Sequence, residues 1–328
     1  MLSSAVVGCG NISRLHIKAI EENENTVLTA LCDIKRERAE GKNIGGTAAV
    51  YTDFDEMLQN EKIDVLHICT PHYLHTEMAV KALEKGIDVV LEKPCSVNRE
   101  EIERLRQAQK KSGKQLAICF QNRYNKCVER AKEIISSREY GEIKCARAFV
   151  TWDRREDYYS DDWHGTKDKE CGGVLINQSI HTLDLVQYLC GGCTLLSSHI
   201  SNDHLKGVIE VEDTATLFMK TNRGAPVLFY ATTAYGEDSE IIAEFTMERA
   251  TLRIEGERLY IKNEKGEIKE EPVSVSEIFP GQKYWGTGHK ALITDFYDCV
   301  LTGRRFVIDA FEGGKAMEIV AAAYGGRC

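Results

Sequence analysis

Three polar side chains interrupt an apolar run near the middle of the chain. In CGGVLINQSIHTLDL (171–185), Asn177, His181 and Asp184 are spaced by four and three residues among Ile176, Ile180 and Leu183. On a helix such spacings share one face, so the pattern predicts a helix beginning near Leu175 with a histidine at the centre of a polar stripe. An imidazole titrates near neutral pH and can take a proton from an alcohol. An amide can orient a partner but accepts no proton, so Asn177 is not a base. Asp184 is placed either to orient the imidazole or to bond a neighbouring loop. A histidine among aliphatic residues is more often a satisfied core residue, and the stripe alone does not decide. Lys93 in LEKP (91–94) is a second reactive group. It follows a strand-like run and precedes a proline that fixes the turn. A lysine cation at such a strand end can hold a developing alkoxide.

The segments around these residues alternate. LSSAVV, TVLTALCD, AAVYTD, IDVLHICTP, IDVVLEKP and QLAICF read as strands, and helix-like segments separate most of them over the first 120 or so residues. Short continuous apolar strands between amphipathic helices predict a doubly wound parallel sheet covered on both faces. After about Asn122 the pattern turns to strands joined by turns, which predicts a largely antiparallel sheet. The expected division is a first domain over 1–121 and an α+β domain over 122–328, with two C-terminal helices at about 288–325.

The first strand runs into VVGCGNIS (6–13), a strand followed by G-x-G-x-x-S and a helix. In a dinucleotide fingerprint Gly8 makes the tight turn, and Gly10 lets the backbone approach a pyrophosphate resting on the helix N-terminus. Asn11 and Ile12 complete that turn, and Ser13 stands where Gly or Ala is usual. Asp33 ends the next strand 23 residues after Gly10, close to the spacing of a carboxylate that binds the adenosine ribose. Such a carboxylate repels a 2′-phosphate, which favours NAD over NADP, although Lys35 and Arg36 follow. CTPHYLH (69–75) and EKP (92–94) close two further strands, where open α/β sheets bind ligands. Thr70, Pro71, His75, Glu92 and Lys93 therefore join Gly8, Gly10, Asn11, Ile12 and Asp33 as cofactor-side candidates. His75 is alternatively a cap of the helix that follows.

Bulk properties exclude other classes. The 328 residues are 43% hydrophobic and 28% charged, with a net charge of −9 and a pI near 5.6. That acidity argues against a nucleic acid or an anionic membrane surface as partner. No apolar run reaches the ~18 residues of a membrane helix, and the N-terminus lacks the basic and long apolar regions of a signal peptide. The expected location is the cytoplasm, where the twelve cysteines stay reduced. Cys190-Gly191-Gly192-Cys193 is too small a set for a structural metal site, and its glycines read as a helix stop. No metal site is expected.

GCGNIS, CTPHYLH, LEKP, QNRY (121–124) and GGVLINQSIHTLDL, in this order and approximate spacing, resemble the Gfo/Idh/MocA family of NAD(P)-dependent oxidoreductases over nearly the whole chain. The resemblance implies a Rossmann domain followed by a domain with an open, mostly antiparallel sheet. That sheet often mediates oligomerisation, so a homodimer or homotetramer is expected through it. The C-terminal helices are implied to pack back near the Rossmann domain. The family's catalytic lysine falls on Lys93. Its D-x-G-x-H segment falls on Asn177, Ser179 and His181, which makes His181 the acid/base residue and Asn177 a departure from the usual aspartate.

TWDRREDYYSDDWHGT (151–166) mixes aromatics, acids and arginines. Rings suit the C–H faces of a sugar and polar groups suit its hydroxyls, so Trp152, Arg154, Tyr158 and Trp163 are substrate-side candidates together with Arg123, Asn177 and His181. The expected activity is hydride transfer between nicotinamide and a secondary alcohol of a sugar, polyol or sugar derivative. His181 is the expected base and Lys93 the electrophile or relay, with the reverse assignment open. Two other readings stand beside it: a glycoside-cleaving enzyme that holds and recycles NAD, and a non-catalytic sensor on the same fold.

Overall fold

The structure, a computed structural model, describes residues 1–273 and 288–325. The chain divides into two units, Met1–Cys119 with His289–Gly314, and Phe120–Gly288 with Lys315–Cys328, each taken over its described residues.

The first unit runs β1 (Leu2–Val7), α1 (Ser13–Glu21), β2 (Thr26–Cys32), α2 (Arg36–Lys42), β3 (Ala49–Tyr51), α3 (Phe54–Asn60), β4 (Val65–Ile68), α4 (His75–Glu84), β5 (Asp88–Leu91), α5 (Arg99–Ser112) and β6 (Leu116–Ile118). All six strands are parallel, in the order β3-β2-β1-β4-β5-β6. β4 and β5 are buried at every position, which is why they read as continuous apolar runs rather than alternating ones. Helix ends follow local chemistry. Asn98 caps α5 by accepting the Glu101 N–H at 2.9 Å, and Gly113 stops the helix at φ 67°. The strand order reverses between β1 and β4, so the connections at their carboxyl ends diverge and leave a crevice there. Gly8 turns the chain into that crevice at φ +85°, and a Cβ on it would stand 2.6 Å from the Cys69 carbonyl and 2.7 Å from the Thr70 nitrogen. At Gly10 a Cβ would meet nothing within 4 Å.

The second unit holds α6 (Lys126–Ser137), β7 (Ile143–Thr151), α7 (Ile180–Leu189), β8 (Cys193–Ser201), β9 (Thr214–Thr221), β10 (Pro226–Thr232), β11 (Ile242–Met247), β12 (Ala250–Glu255), β13 (Arg258–Asn263) and β14 (Ile268–Glu271). Its sheet has the order β14-β13-β12-β11-β7-β10-β9-β8. Neighbours are antiparallel except β7 and β10, which are parallel. Strands such as β12 alternate buried and part-exposed residues, with Leu252 and Ile254 fully buried, the period of a sheet with one covered face.

α8 (His289–Thr302) returns to the first unit against α1, and α9 (Ala310–Ala323) follows. Leu292, Ile293, Phe296 and Tyr297 of α8 are fully buried. Polar bonds fix its rotation: the Tyr297 hydroxyl meets Ser4 Oγ at 2.6 Å and His67 Nε2 at 2.8 Å, and His289 Nε2 meets Glu92 Oε1 at 3.0 Å. Among the described residues no helix is long and apolar enough to cross a membrane.

Two stability predictions follow from the first unit. Gly8→Ala combines a left-handed φ with a backbone clash and is expected to lose about 2 kcal/mol or more in urea unfolding, whereas Gly10→Ala changes stability by less than about 0.5 kcal/mol; equal losses at both sites would contradict this geometry. Burial lowers the pKa of His16 and His67, His67 most strongly. Burial pushes the Glu92 carboxyl up, but hydrogen bonds from His16 and His289 outweigh it and hold Glu92 well below its ordinary range. In all three the unfolded chain binds protons first on acidification, so each contributes stability that is lost as pH falls. Melting temperature should be level above about pH 7, fall from about pH 6.5 as the unfolded histidines charge, and fall further below about pH 4.5. A melting temperature that holds down to pH 4 would refute this assignment.

Candidate functional site

The carboxyl ends of β1, β2, β4 and β5 bring the cofactor-side candidates to one edge of the first unit's sheet. After β1 the chain turns through Gly8 to Asn11, which is exposed, and enters α1. The buried Ser13 hydroxyl donates to the Gly10 carbonyl at 2.7 Å, which gives the serine in the third motif position a structural task. Asp33, just beyond β2, accepts the Cys9 N–H at 2.8 Å on one oxygen and the Lys35 N–H at 2.9 Å on the other. Its carboxylate is thereby fixed in orientation, with lone pairs left over on both oxygens. The open position at Gly10, the exposed Asn11 and the anchored Asp33 fit a dinucleotide: backbone N–H groups at the start of α1 would face a pyrophosphate, and Asp33 would face a ribose.

His75 neither points into solvent nor caps α4. Its Nδ1 lies 2.7 Å from the Pro94 carbonyl and its Nε2 2.8 Å from the Thr70 carbonyl. The ring ties the loop after β4 to the loop after β5, and so places Thr70, Pro71 and Lys93 relative to one another. Burial pushes its pKa down, against the pull of both carbonyls. Glu92 corrects the sequence reading of a cofactor contact. The carboxylate is 6% exposed and turns inward, to His16 Nε2 and His289 Nε2 at 3.0 Å each and to the Lys93 backbone N–H at 3.1 Å. A buried anion is stable only where donors surround it, and here they come from inside the unit. Lys93 is part-exposed beside it, two residues past the end of β5.

In the second unit α7 begins at Ile180, five residues later than expected. Asn177 therefore lies in the preceding turn, and Asn177, His181 and Asp184 do not share a helix face. The cause is Glu212. Its buried carboxylate accepts the N–H groups of Gly173 and Leu175 at 3.0 Å each and the Tyr324 hydroxyl at 2.7 Å, while its carbonyl accepts the Val174 N–H at 3.0 Å. A Cβ on Gly173 would stand 1.9 Å from that carbonyl oxygen, so only glycine fits. The Ser179 hydroxyl then bonds back to the Val174 carbonyl at 2.7 Å. These bonds compete with helix formation until Ile180.

For Asp184 the structure shows the second of the two expected roles, a bond to a neighbouring turn. Arg123 grips Asp184 in a two-pronged ion pair, Nε to Oδ2 at 2.7 Å and Nη2 to Oδ1 at 2.6 Å, and its guanidinium lies over the Tyr188 ring at 4.3 Å. Both residues are buried. The aspartate thus holds the QNRY turn to α7, and the Arg123 guanidinium is engaged in that bond. His181 is part-exposed on the first turn of α7, its ring edge-on to Phe120 with centroids 5.9 Å apart.

Asn177 has a partner that sequence reasoning missed. Glu170, fully buried, accepts from Asn177 Nδ2 at 2.5 Å and from the Gly165 N–H. The Tyr158 hydroxyl lies 3.4 Å from the same amide nitrogen. Around them, Trp163 stacks on His164 with centroids 3.7 Å apart, and His164 lies 5.1 Å from Tyr158. Arg154 is buried, bonded to Asp238 at 2.6 Å and flanked by Trp152 and Tyr158 at 5.1 and 5.4 Å. The Trp152 indole donates to the Ser239 carbonyl at 3.1 Å. Tyr158, Trp163 and Asn177 thus gather with His164 and Glu170, whereas Arg154 is held by an acid of its own unit.

The other residues missed are His16, His67 and His289. A histidine inside an apolar strand (VLHICTP) and one on the inner face of α1 were visible anomalies. Potential ion-facing atoms of His16, Glu92 and Cys119 lie within 4.8 Å of one another. This grouping was not foreseen, and two of its three members are hydrogen-bonded to each other.

A model described as the oxidoreductase family with an NAD-binding Rossmann fold matches residues 2–120, and the GFO/IDH/MocA C-terminal domain model matches residues 128–261. The chain is 31% identical over 150 residues to 1-carboxy-3-chloro-3,4-dihydroxycyclohexa-1,5-diene dehydrogenase of Comamonas testosteroni, covering 44% of this chain and 36% of that protein. It is 30% identical over 192 residues to D-glucoside 3-dehydrogenase of Escherichia coli (strain K12), covering 58% of this chain and 54% of that one. The matches thus span between about a third and about half of these relatives' length. Among solved structures it resembles the WlbA dehydrogenase of Bordetella pertussis in complex with NADH and UDP-GlcNAcA, with a TM-score of 0.85, 25% identity, and coverage of 99% of this chain and 95% of that one. Two domain models of one family, matched in order over a Rossmann sheet and a second, mostly antiparallel sheet, settle the kinship: the chain belongs to the GFO/IDH/MocA oxidoreductase family.

Proposed function

We propose that this protein is an NAD-dependent dehydrogenase acting on a secondary alcohol of a sugar, polyol or sugar derivative. The observation that carries the reading is the edge of the first sheet, where the open Gly10 turn, the anchored Asp33 carboxylate and Lys93 all stand at strand ends. The names of the relatives support the substrate class: one is a D-glucoside 3-dehydrogenase and another a dehydrogenase crystallised with a nucleotide sugar.

The backbone N–H groups after Gly10 would hold the pyrophosphate, and Asp33 the ribose hydroxyls. Asp33 disfavours a 2′-phosphate by charge, which makes NAD the preferred cofactor. Bound NAD supplies the hydride acceptor. Lys93 holds the substrate oxygen and offsets its developing charge, and His181 takes the hydroxyl proton, roles that follow from their match to the family's lysine and histidine. Asn177, fixed by Glu170, orients a hydroxyl without exchanging a proton. Tyr158 and Trp163 offer ring faces to sugar C–H groups. Arg123 acts through Asp184 by holding α7 in place and does not touch substrate. Phe218 and Leu196, 53% and 60% exposed on adjacent strands β9 and β8, support a homo-oligomer formed through this sheet.

The test is absorbance at the NADH band with NAD and a panel of sugars, polyols and glycosides, with products identified in parallel. NADH is expected to accumulate with one substrate class, and His181→Ala and Lys93→Ala should each lower kcat about 100-fold or more. Cleavage of a glycoside without NADH, or full turnover in both variants, would overturn the proposal. NAD should bind at least tenfold more tightly than NADP by calorimetry; the opposite order would remove Asp33 from the ribose site.

Asn177→Asp tests the Glu170 pairing separately. Two carboxylates at 2.5 Å cannot both ionise without cost. The variant should be less stable than the wild type by about 1–3 kcal/mol at pH 8, and the difference should shrink as pH falls toward about 4, where a carboxyl binds a proton in the folded and unfolded chain alike. A variant equally stable at both pH values would show that this contact contributes nothing.

A further inference from the structure

The buried polar side chains of the first unit form one continuous series of hydrogen bonds. Ser4 Oγ meets the Tyr297 hydroxyl at 2.6 Å, the hydroxyl meets His67 Nε2 at 2.8 Å, His67 Nδ1 meets His16 Nδ1 at 2.9 Å, and His16 Nε2 meets Glu92 Oε1 at 3.0 Å. His289 Nε2 reaches the same Glu92 oxygen at 3.0 Å. None of the six residues is more than 6% exposed.

With neutral rings, one arrangement of protons satisfies the series. A carboxylate only accepts, so His16 and His289 both donate from Nε2. His16 then has a lone pair at Nδ1 and accepts from the Nδ1–H of His67. His67 in turn accepts at Nε2 from the Tyr297 hydroxyl, whose oxygen accepts from Ser4. Burial favours the neutral form of His16 and His67. His289 Nδ1 is buried with no hydrogen-bond partner, which suits a lone pair better than a second N–H. Every proton in the series therefore points toward Glu92.

The other Glu92 oxygen accepts the Lys93 backbone N–H at 3.1 Å. The remaining titratable groups around Glu92 are Cys69 beyond β4 and Cys119 beyond β6, both thiols pushed up mainly by burial and further by Glu92, and His75 of α4.

We propose that Glu92 is a positioning residue for Lys93, and that the Ser4–Tyr297–His67–His16 series together with His289 fixes the direction in which its two oxygens face. The role of Lys93 in turnover rests on the dehydrogenase reading above; the proton arrangement does not. Glu92 must accept three N–H groups spread over both oxygens. A carboxylate does so, whereas a glutamine can accept at one end only. Glu92→Gln therefore turns an NH2 group either toward the two imidazoles or toward Lys93.

The experiment uses the full chain with 15N-labelled histidine and reads tautomers by long-range 15N–1H correlation near pH 7.5. The wild type should show His16 and His289 neutral with the proton on Nε2, and His67 neutral with the proton on Nδ1. In Glu92→Gln either the His16 proton moves to Nδ1, or hydrogen exchange at the Lys93 amide accelerates at least tenfold. With a substrate in hand, kcat should fall tenfold or more while NAD affinity changes less than threefold. A charged His16, or His16 protonated on Nδ1 in the wild type, would overturn the series even if the variant failed to fold. A Glu92→Gln protein with unchanged tautomers and unchanged Lys93 exchange would overturn the positioning role. These two readouts need no turnover, so they decide the proposal even if the dehydrogenase reading fails.

Discussion

A carboxylate without water must be surrounded by donors, and that requirement organises the first unit around Glu92. An ionised carboxyl in a low-dielectric interior costs many kcal/mol unless it is paired and hydrogen-bonded. Glu92 draws one donor from α1, one from α8 and one from the Lys93 backbone. A helix that returns from nearly 200 residues further along the sequence is thereby fixed to the sheet by a polar bond as well as by its buried Phe296 and Tyr297. The anion lies one residue before Lys93, so the interaction that closes the interior also fixes the backbone of the strand end that carries this lysine.

The second unit meets the same requirement with other partners. Asp184 receives a two-pronged arginine, which joins α7 to the turn at Gln121–Tyr124. Glu212 receives two backbone N–H groups and a tyrosine hydroxyl and so holds open the turn before α7. Burial raises the Glu212 pKa despite those donors. The contrast with Glu92 is physical. At Glu92 the hydrogen bonds from two imidazoles outweigh burial, whereas at Glu212 the backbone amides and the phenol do not.

Much of this was legible in the sequence because it rests on local patterns. Continuous apolar runs marked β4 and β5, the glycine motif marked the β1–α1 turn, and Asp33 stood at its expected spacing. What was illegible depends on pairs far apart in the chain. Nothing near Glu92 shows that His16 and His289 will face it, and nothing near Asp184 reveals Arg123, 61 residues away. The same limit explains the misplaced start of α7. Its apolar period extends back to Leu175, and only Glu212, 37 residues downstream, diverts the backbone there.

Asn177 shows how far a motif can be read without its surroundings. Against the family pattern it stands where an aspartate is usual, and taken alone the change removes a negative charge. In the fold a carboxyl group stands beside it on Glu170, seven residues earlier, with its oxygen 2.5 Å from the Asn177 amide. Glu170 is fully buried and also accepts from the Gly165 backbone, so a second carboxylate at that distance would cost stability. The asparagine is the side chain of that size that can donate to Glu170 and still present an oxygen elsewhere. The departure from the motif is therefore one half of a pair, and its chemical meaning lies in the carboxylate–amide unit rather than in either residue.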